Sequence, residues 1–418
     1  MTLHTHGDQM KRLSTKRRHL LLRGAALGAA AALLPAPLGD ATGFRPRRSK
    51  VGGIRAALVP PATVSLADYG GVPGARAAAL VLAFRHALAD LAGQGGGTLF
   101  VPRGTYDFGQ CADAATLVLC RGARDIAISA YGALFMVTTA ANVMPNLFYF
   151  FNFQNVTIAG ASFTDAGFDP RADWRGMVCV GLQADQPSRD FTMVDCYAER
   201  VVSLLSSHNN AATQPFLSNI RVHGEVRQAY YGVGASFIRE NVDVDLVCHN
   251  VRRGIIASAL RNADIRMTVS STAHWPGSNG LIALICGGAS VGNVENVRVT
   301  LAASGAGIHD SYVHFYHQGD EPGGAMRNVD ATVHLATADA DADAGAATIL
   351  FLFDHEARFV KATTARVWDA IALHGTISGN FDGRVVANPS ASTAPGTVCL
   401  DRNLAQQAGS GHMLLLVQ

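Results

Sequence analysis

The sequence predicts an all-β chain, a single-stranded, right-handed parallel β-helix with an N-terminal capping helix. Three observations carry the prediction. A short motif recurs, an Asn or Asp followed by alternating apolar residues; a second strand-like segment follows it in most repeats; and one amphipathic helix precedes the first repeat. About half of the residues are apolar and 43 are glycine, against 7% aromatic and 16% charged, the composition of short strands and turns rather than of a helical bundle.

The repeat fixes the architecture. Its instances are Asp125-Ile126-Ala127-Ile128, Asn155-Val156-Thr157-Ile158, Asp190-Phe191-Thr192-Met193, Asn219-Ile220-Arg221-Val222, Asn241-Val242-Asp243-Val244, Asn262-Ala263-Asp264-Ile265, Asn296-Val297-Arg298-Val299 and Asn328-Val329-Asp330-Ala331, with weaker members at Arg358-Phe359 and Asn380-Phe381. Successive anchors are 30, 35, 29, 22, 21, 34 and 32 residues apart, the behaviour of coils of twenty-odd residues with loop insertions. Alternation after each anchor marks a strand with one buried face. A second column is expected at Arg175–Val178, Tyr231–Gly234, Arg253–Ile256, Asn279–Ile282 and Ser311–His314. Asn suits a tight bend because it tolerates left-handed backbone and its amides stack. A β-sandwich would instead show Asn-Gly hairpin turns every 8–12 residues, and Asn279-Gly280 is the only such pair.

The elements divide the chain into four segments. Residues 1–40 hold six basic and two acidic side chains, with Arg17-Arg18 before an Ala/Leu-rich run to Leu34 and then Pro35-Ala36-Pro37. This order resembles a twin-arginine export signal, and the run is too short and too alanine-rich to form a stable membrane span. A periplasmic or extracellular location is therefore expected. Residues 41–62 read as a linker, 63–124 as a strand, helix and strand cap, and 125–418 as the coils. The helix is expected over Arg76–Ala92, ending at Gly93 and the Gly95-Gly96-Gly97 run, where it covers the open end of the stack. The formal net charge of +2 leaves −2 beyond residue 40, so no electrostatic case exists for nucleic acid as a partner. Seven cysteines show no C-x-x-C spacing; Cys111 and Cys120 flank a short loop and could pair or remain reduced.

Val64-Ser65-Leu66-Ala67-Asp68-Tyr69-Gly70, the helix, the glycine run and Val101-Pro102-Arg103-Gly104-Thr105-Tyr106 resemble the N-terminal region of the pectate-lyase-like superfamily of β-helix proteins, over about Val64 to Phe108. Gly74-Ala75-Arg76-Ala77 stands where many members carry an acidic Gly-Asp-Gly-x-x-Asp-Asp stretch. The resemblance implies a polysaccharide substrate, with lyases, hydrolases and tailspike-like depolymerases as relatives. The Asn-Thr-Asp, Asp-Asp, Gly-His-Gly and Arg-Ile-Lys motifs of polygalacturonase-like hydrolases do not occur in this sequence.

Equivalent positions of stacked strands lie about 4.8 Å apart, so residues at one offset form a ladder. Just before the second column the chain places Trp174-Arg175, Glu199-Arg200, Tyr230-Tyr231, Arg252-Arg253, Ser278-Asn279 and Asp310-Ser311. Arginine and tyrosine there suit β-elimination on a uronate-containing glycan, with Tyr230 or Tyr231 as acid and base, Arg252 and Arg253 neutralising the substrate carboxylate, and His249 or His274 as an alternative base. Trp174, Arg175, Glu199, Arg200, His208, Asn279, His274 and Asp310 are the expected substrate contacts. Hydrolysis would need a carboxylate pair, for which Asp195 and Glu225, with Glu199 as a third, are the candidates. A non-catalytic glycan-binding protein is the remaining alternative. His309, His314 and His317 with Asp310 and Asp320, and Asp354-His355-Glu356, lack tight ligand spacing. No cofactor is expected unless calcium assists a lyase, and Asp339–Asp343 lacks the glycine and terminal glutamate of a calcium loop. The oligomeric state is not encoded in these patterns.

Overall fold

The computed structural model describes residues 62–112, 116–140, 143–170, 175–207, 217–236, 238–271, 280–287, 291–305, 311–318, 324–337, 349–355, 367–379, 383–387 and 398–407. Residues 1–61 and the Asp339–Asp343 run lie outside the described residues, and Ala62, expected as the last linker residue, opens the first strand. Two parallel sheets run the length of the stack. In the first, Ala62–Ser65, Gly97–Phe100, Arg124–Ser129, Gln154–Ala159, Ser188–Glu199, Leu217–Arg227, Ile238–His249, Arg261–Ser271, Val294–Gly305, Met326–Thr337, Trp368–Ser378 and Val398–Leu400 pair in chain order. In the second, Thr116–Arg121, Asn146–Phe151, Val178–Gln183, Ser203–Ser207, Tyr231–Ser236, Arg253–Ser258, Ile282–Gly287, Ser311–Gln318, Ile349–His355 and Arg384–Ala387 do the same. Every strand-to-strand ladder is parallel, and the chain coils as a right-handed parallel β-helix.

The reason for this regularity is visible at the anchors. All eight, from Asp125 to Asn328, adopt left-handed backbone with φ between 52° and 62°. That conformation is costly for most residues and cheapest, after glycine, for Asn and Asp. The side chains then bond along the stack. Asn155 Nδ2 donates to Asp125 Oδ1 at 2.7 Å, Asn219 to Asp190 at 2.7 Å, Asn241 to Asn219 at 2.9 Å, Asn296 to Asn262 at 3.1 Å and Asn328 to Asn296 at 3.1 Å. A carboxylate only accepts, so Asp125 and Asp190 each stand on the N-terminal side of an asparagine that donates to them. The ninth position, fixed by the pairings Arg327↔Asp369 and Val329↔Ile371, is Ala370 with φ 51°. Alanine leaves no sequence mark there, and the weaker members Arg358 and Asn380 fall outside the described residues.

The sequence reading differs from the structure in the number of columns. In the first coils Gly104–Cys111, Ala133–Thr139 and Ser162–Asp165 form a third column, because the chain bends at turns such as Gly160, with φ 70°. From Ser188 onward the two adjacent columns fuse into strands of 11 or 12 residues, and Ser162–Asp165 pairs with the end of Ser188–Glu199. A bulge between Met193 and Cys196, with Asp195 at φ 54°, absorbs the change. Apolar alternation continues across a bend and does not mark it.

The interior is continuous and apolar. The helix Ala77–Gly93 buries Leu80, Ala83, Phe84, Ala87, Leu88 and Leu91 over the N-terminal coils. Phe84 meets Phe135 and Phe148 at centroid distances of 5.8 and 5.3 Å. Each fully buried Leu or Phe contributes about 1.5–3 kcal/mol, so the cap is held on by its packing face. Further along, Phe315 stacks on Phe353 at 4.6 Å. Cys111 and Cys120 are buried and not joined by a disulfide. Burial pushes the Cys120, Cys196 and Cys248 thiols up to about 12, which keeps them protonated and unreactive at neutral pH. Among the described residues no helix is long and apolar enough to cross a membrane.

The asparagine ladder makes a direct prediction. Asn241→Ala removes one amide bond and leaves alanine in left-handed backbone, costing about 1–2 kcal/mol. Asn241→Gly loses the bond and not the conformation, so its melting temperature falls less than that of the alanine variant.

Candidate active site

The strands of the first sheet end together, and their last outward-facing residues align. Register places Glu199 beside Arg227, Arg227 beside His249, and His249 beside Ser270. Two residues earlier, Tyr197, Glu225, Val247 and Thr268 align in the same way. The turn that follows is left-handed at Arg200, Gln228 and Asn250, with φ of 56°, 48° and 52°. An open cleft of about 330 Å³ is lined by Glu199, Arg227, Gln228, His249, Asn250 and Ser270.

These side chains are joined to one another. Tyr197 Oη donates to Glu199 Oε2 at 2.9 Å, and Arg227 Nε donates to Glu225 Oε1 at 2.6 Å. His249 Nε2 lies 3.6 Å from the same Glu225 oxygen, and its Nδ1 is 2.6 Å from Ser270 Oγ. The Arg227 guanidinium also lies over the Tyr197 ring, 5.9 Å from its centroid. Burial and the Glu199 hydrogen bond push the Tyr197 phenol up to about 12. The bond to Glu225 raises Arg227 further, so it stays cationic throughout the accessible pH range. Glu199 and Glu225 are one coil and two residues apart on one face, which sets their Cα atoms about 8 Å apart.

Of the residues expected from sequence, Glu199 and His249 belong to this cleft and Arg200 to its turn, where Nη2 donates to Phe168 O at 3.3 Å. Tyr230-Tyr231 and Arg252-Arg253 do meet on consecutive coils, with Tyr231 in register with Arg253. The tyrosines are only 2% and 8% exposed, packed with Phe168, Val178 and Val202, and Arg252 covers the Tyr230 ring at 5.4 Å. Tyr231 is in register with Ser203, so Glu199-Arg200 occupies a column three residues away from the tyrosines. Arg175 is half-buried just before the strand Val178–Gln183. Trp174, His208, His274, Asn279 and Asp310 lie outside the described residues. Asp195 is in the bulge, where it accepts from Tyr131 Oη at 2.8 Å, and it is Tyr197 that faces Glu225.

Tyr197, Arg227, Gln228, Asn250 and Ser270 were not among the expected site residues. Their signal was present: Arg227, His249 and Ser270 each stand eight residues after an anchor, and Glu199 nine, the bulge adding one. Among the expected histidines, His314 is 5% exposed with Nε2 3.7 Å from Asp354 Oδ2, and His317 is wholly buried. No group of three or more His, Cys, Asp or Glu able to hold a metal ion occurs among the described residues.

The parallel ladders and uniform coil decide the architecture. The chain is a right-handed parallel β-helix. Among solved structures, the chain aligns with a mutant tailspike protein of E. coli bacteriophage HK620 in complex with a pentasaccharide, at 14% identity and a TM-score of 0.45 over 82% of this chain and 66% of that one. An endo-xylogalacturonan hydrolase from Aspergillus tubingensis aligns at 12% identity and TM-score 0.40, over 82% of this chain and 94% of that one. The A-module of a mannuronan C-5 epimerase of Azotobacter vinelandii aligns at 11% identity and TM-score 0.33, over 81% and 97%. This chain spans just under two thirds of the tailspike. No family model and no curated protein sequence matches the chain.

The raised phenols of this β-helix make part of its stability depend on alkaline pH. Tyr197, Tyr149 and Tyr312 titrate at about 12 when folded, against about 10 unfolded. The folded state therefore holds more protons between those values, and the stability this gives is complete below pH 10 and lost as pH rises through 12. Tyr197→Phe should make the fall in melting temperature between pH 10 and 12 shallower, and should lower the melting temperature at pH 7 through loss of the Glu199 hydrogen bond.

Proposed function

We propose that this protein cleaves a polysaccharide by hydrolysis in the cleft beside Glu199 and Glu225. The observation that carries the reading is the carboxylate pair itself, Glu199 and Glu225 on adjacent coils of one outward face beside the cleft; an inverting glycosidase works with such a pair and a water molecule held between acid and base. Glu225, ion-paired with Arg227, acts as the base that activates water. Glu199, with Oε2 held by Tyr197, acts as the acid that protonates the glycosidic oxygen. His249 fixes the other side of Glu225, and Gln228, Asn250 and Ser270 supply amide and hydroxyl groups for sugar hydroxyls. The protein works outside the cytoplasm, after export directed by the segment around Arg17-Arg18.

A second reading, β-elimination on a uronate, is favoured by one observation: Arg227 and His249 stand side by side on adjacent coils. His249 would then be the base. Tyr197 is unsuited to that role, since a phenol held at about 12 has almost no phenolate at neutral pH. Tyr230 and Tyr231 are packed away from water.

Incubation with a panel of neutral and uronate-containing polysaccharides separates the readings. Hydrolysis gives new reducing ends without near-ultraviolet absorbance, elimination gives both, and a binding protein gives neither. Glu199→Gln and Glu225→Gln should each lower kcat about 10²–10⁴-fold with unchanged melting temperature. A variant pair that keeps full activity would remove the carboxylates from the reaction.

A further inference from the structure

The outward face leading to the cleft carries an uneven charge. On the four strands from Ser188 to Ser271, beyond the anchors, the aligned outward positions hold three arginines, Arg221, Arg227 and Arg266, and five carboxylates, Glu199, Glu225, Asp243, Asp245 and Asp264. With histidines neutral this is an excess of two negative charges. The next two strands add Arg298 and Asp330 and leave the excess unchanged. Asp195 in the bulge contributes in the same sense.

The arginines are also committed. Arg266 reaches three carboxylates, with Nη1 2.6 Å from Asp264, Nη2 2.7 Å from Asp243 and Nε 3.2 Å from Asp245. Arg221 Nε is 3.2 Å from Asp243, which also takes His223 at 3.3 Å, and Arg227 is bound to Glu225. Arg221, Arg227 and Arg266 thus each have a carboxylate of their own chain within reach. A uronate would have to displace one of them and would enter a field of its own sign.

We infer that the cleft takes an uncharged glycan and excludes polyuronates. The inference rests on the hydrolytic reading and narrows its substrate to neutral sugars. The lining of the cleft and the positions next to it suit such a chain: Gln228, Asn250, Ser270 and Thr268 carry amide and hydroxyl groups, and exposed Val247, beside Glu225, offers an apolar surface to a sugar face. The specificity residues are Asp243, Asp245 and Asp264, which both consume the arginine charge and leave the face negative.

Binding, measured apart from cleavage, tests this. Affinity electrophoresis or calorimetry of the full chain with dextran, galactomannan and xyloglucan, and separately with polygalacturonate and alginate, is run at low and at high salt. At least one neutral polymer should be retained with little dependence on salt, and polyuronates should bind at least about tenfold more weakly at low salt, the gap closing as salt screens the repulsion. Asp245→Asn should raise the ratio of polyuronate to neutral affinity severalfold; if that variant does not fold, the wild-type salt series decides. Polyuronate binding that is tighter than neutral binding at low salt and weakens with added salt overturns the inference, as does failure to retain any neutral polymer. Retention of a neutral polymer without new reducing ends would leave the charge selection standing and remove the hydrolytic reading.

Discussion

A parallel stack has no hairpin turns to set its register, so each coil must be aligned with the next by something that repeats. In this chain that element is a residue held in left-handed backbone at the start of each long strand. Eight of the nine such positions from Asp125 to Ala370 are Asn or Asp. The conformation turns the chain, and the amide bonds between neighbouring rungs, such as Asn241 to Asn219, hold successive coils level. A one-residue slip in any coil would carry its apolar residues out of the core and its polar face inward. Everything downstream depends on that alignment, including which outward side chains become neighbours.

The cleft is a consequence of counting from the anchors. Glu199, Arg227, His249 and Ser270 come from four different coils and are neighbours because their strands run in register from anchor to end. Their chemistry is coupled through short contacts: phenol to carboxylate, guanidinium to carboxylate, imidazole between a carboxylate and a hydroxyl. Such a network is preorganised on rigid strands rather than on loops, which suits a site that must hold two carboxyl groups at a fixed separation. The same face carries Asp243, Asp245 and Asp264 around Arg266, so its ion pairs fix side chains and at the same time set the sign of the local field.

Much of the fold was legible in the sequence because its signals are local. An Asn followed by apolar alternation reports a left-handed turn and a half-buried strand, and the helix before Gly93 reports its own packing face. The fused columns after Ser188 and the ninth turn at Ala370 were not legible, since a straight strand and a bent one alternate alike and alanine carries no polar mark. The site was only partly legible for a related reason. Tyr230, Tyr231, Arg252 and Arg253 attract attention by residue type, yet the tyrosines sit in an apolar cluster with Phe168, Val178 and Val202. Glu199 and His249 belong to a different column from the tyrosines, because their register counts from the anchors of the long strands, and the bulge at Asp195 shifts Glu199 by one. Arg227 and Ser270 are unremarkable residues until the register is known.

The central claim is that two carboxylates set by this register, Glu199 and Glu225, act on opposite sides of a glycosidic bond with a water between them. The stereochemistry of the first product tests it most directly, by proton magnetic resonance of the reducing sugar in the first minutes of cleavage. The account predicts inversion at the anomeric carbon. Retention would mean that one carboxylate attacks the sugar as a nucleophile with no water between the pair, and an unsaturated product would mean elimination; either result would contradict it.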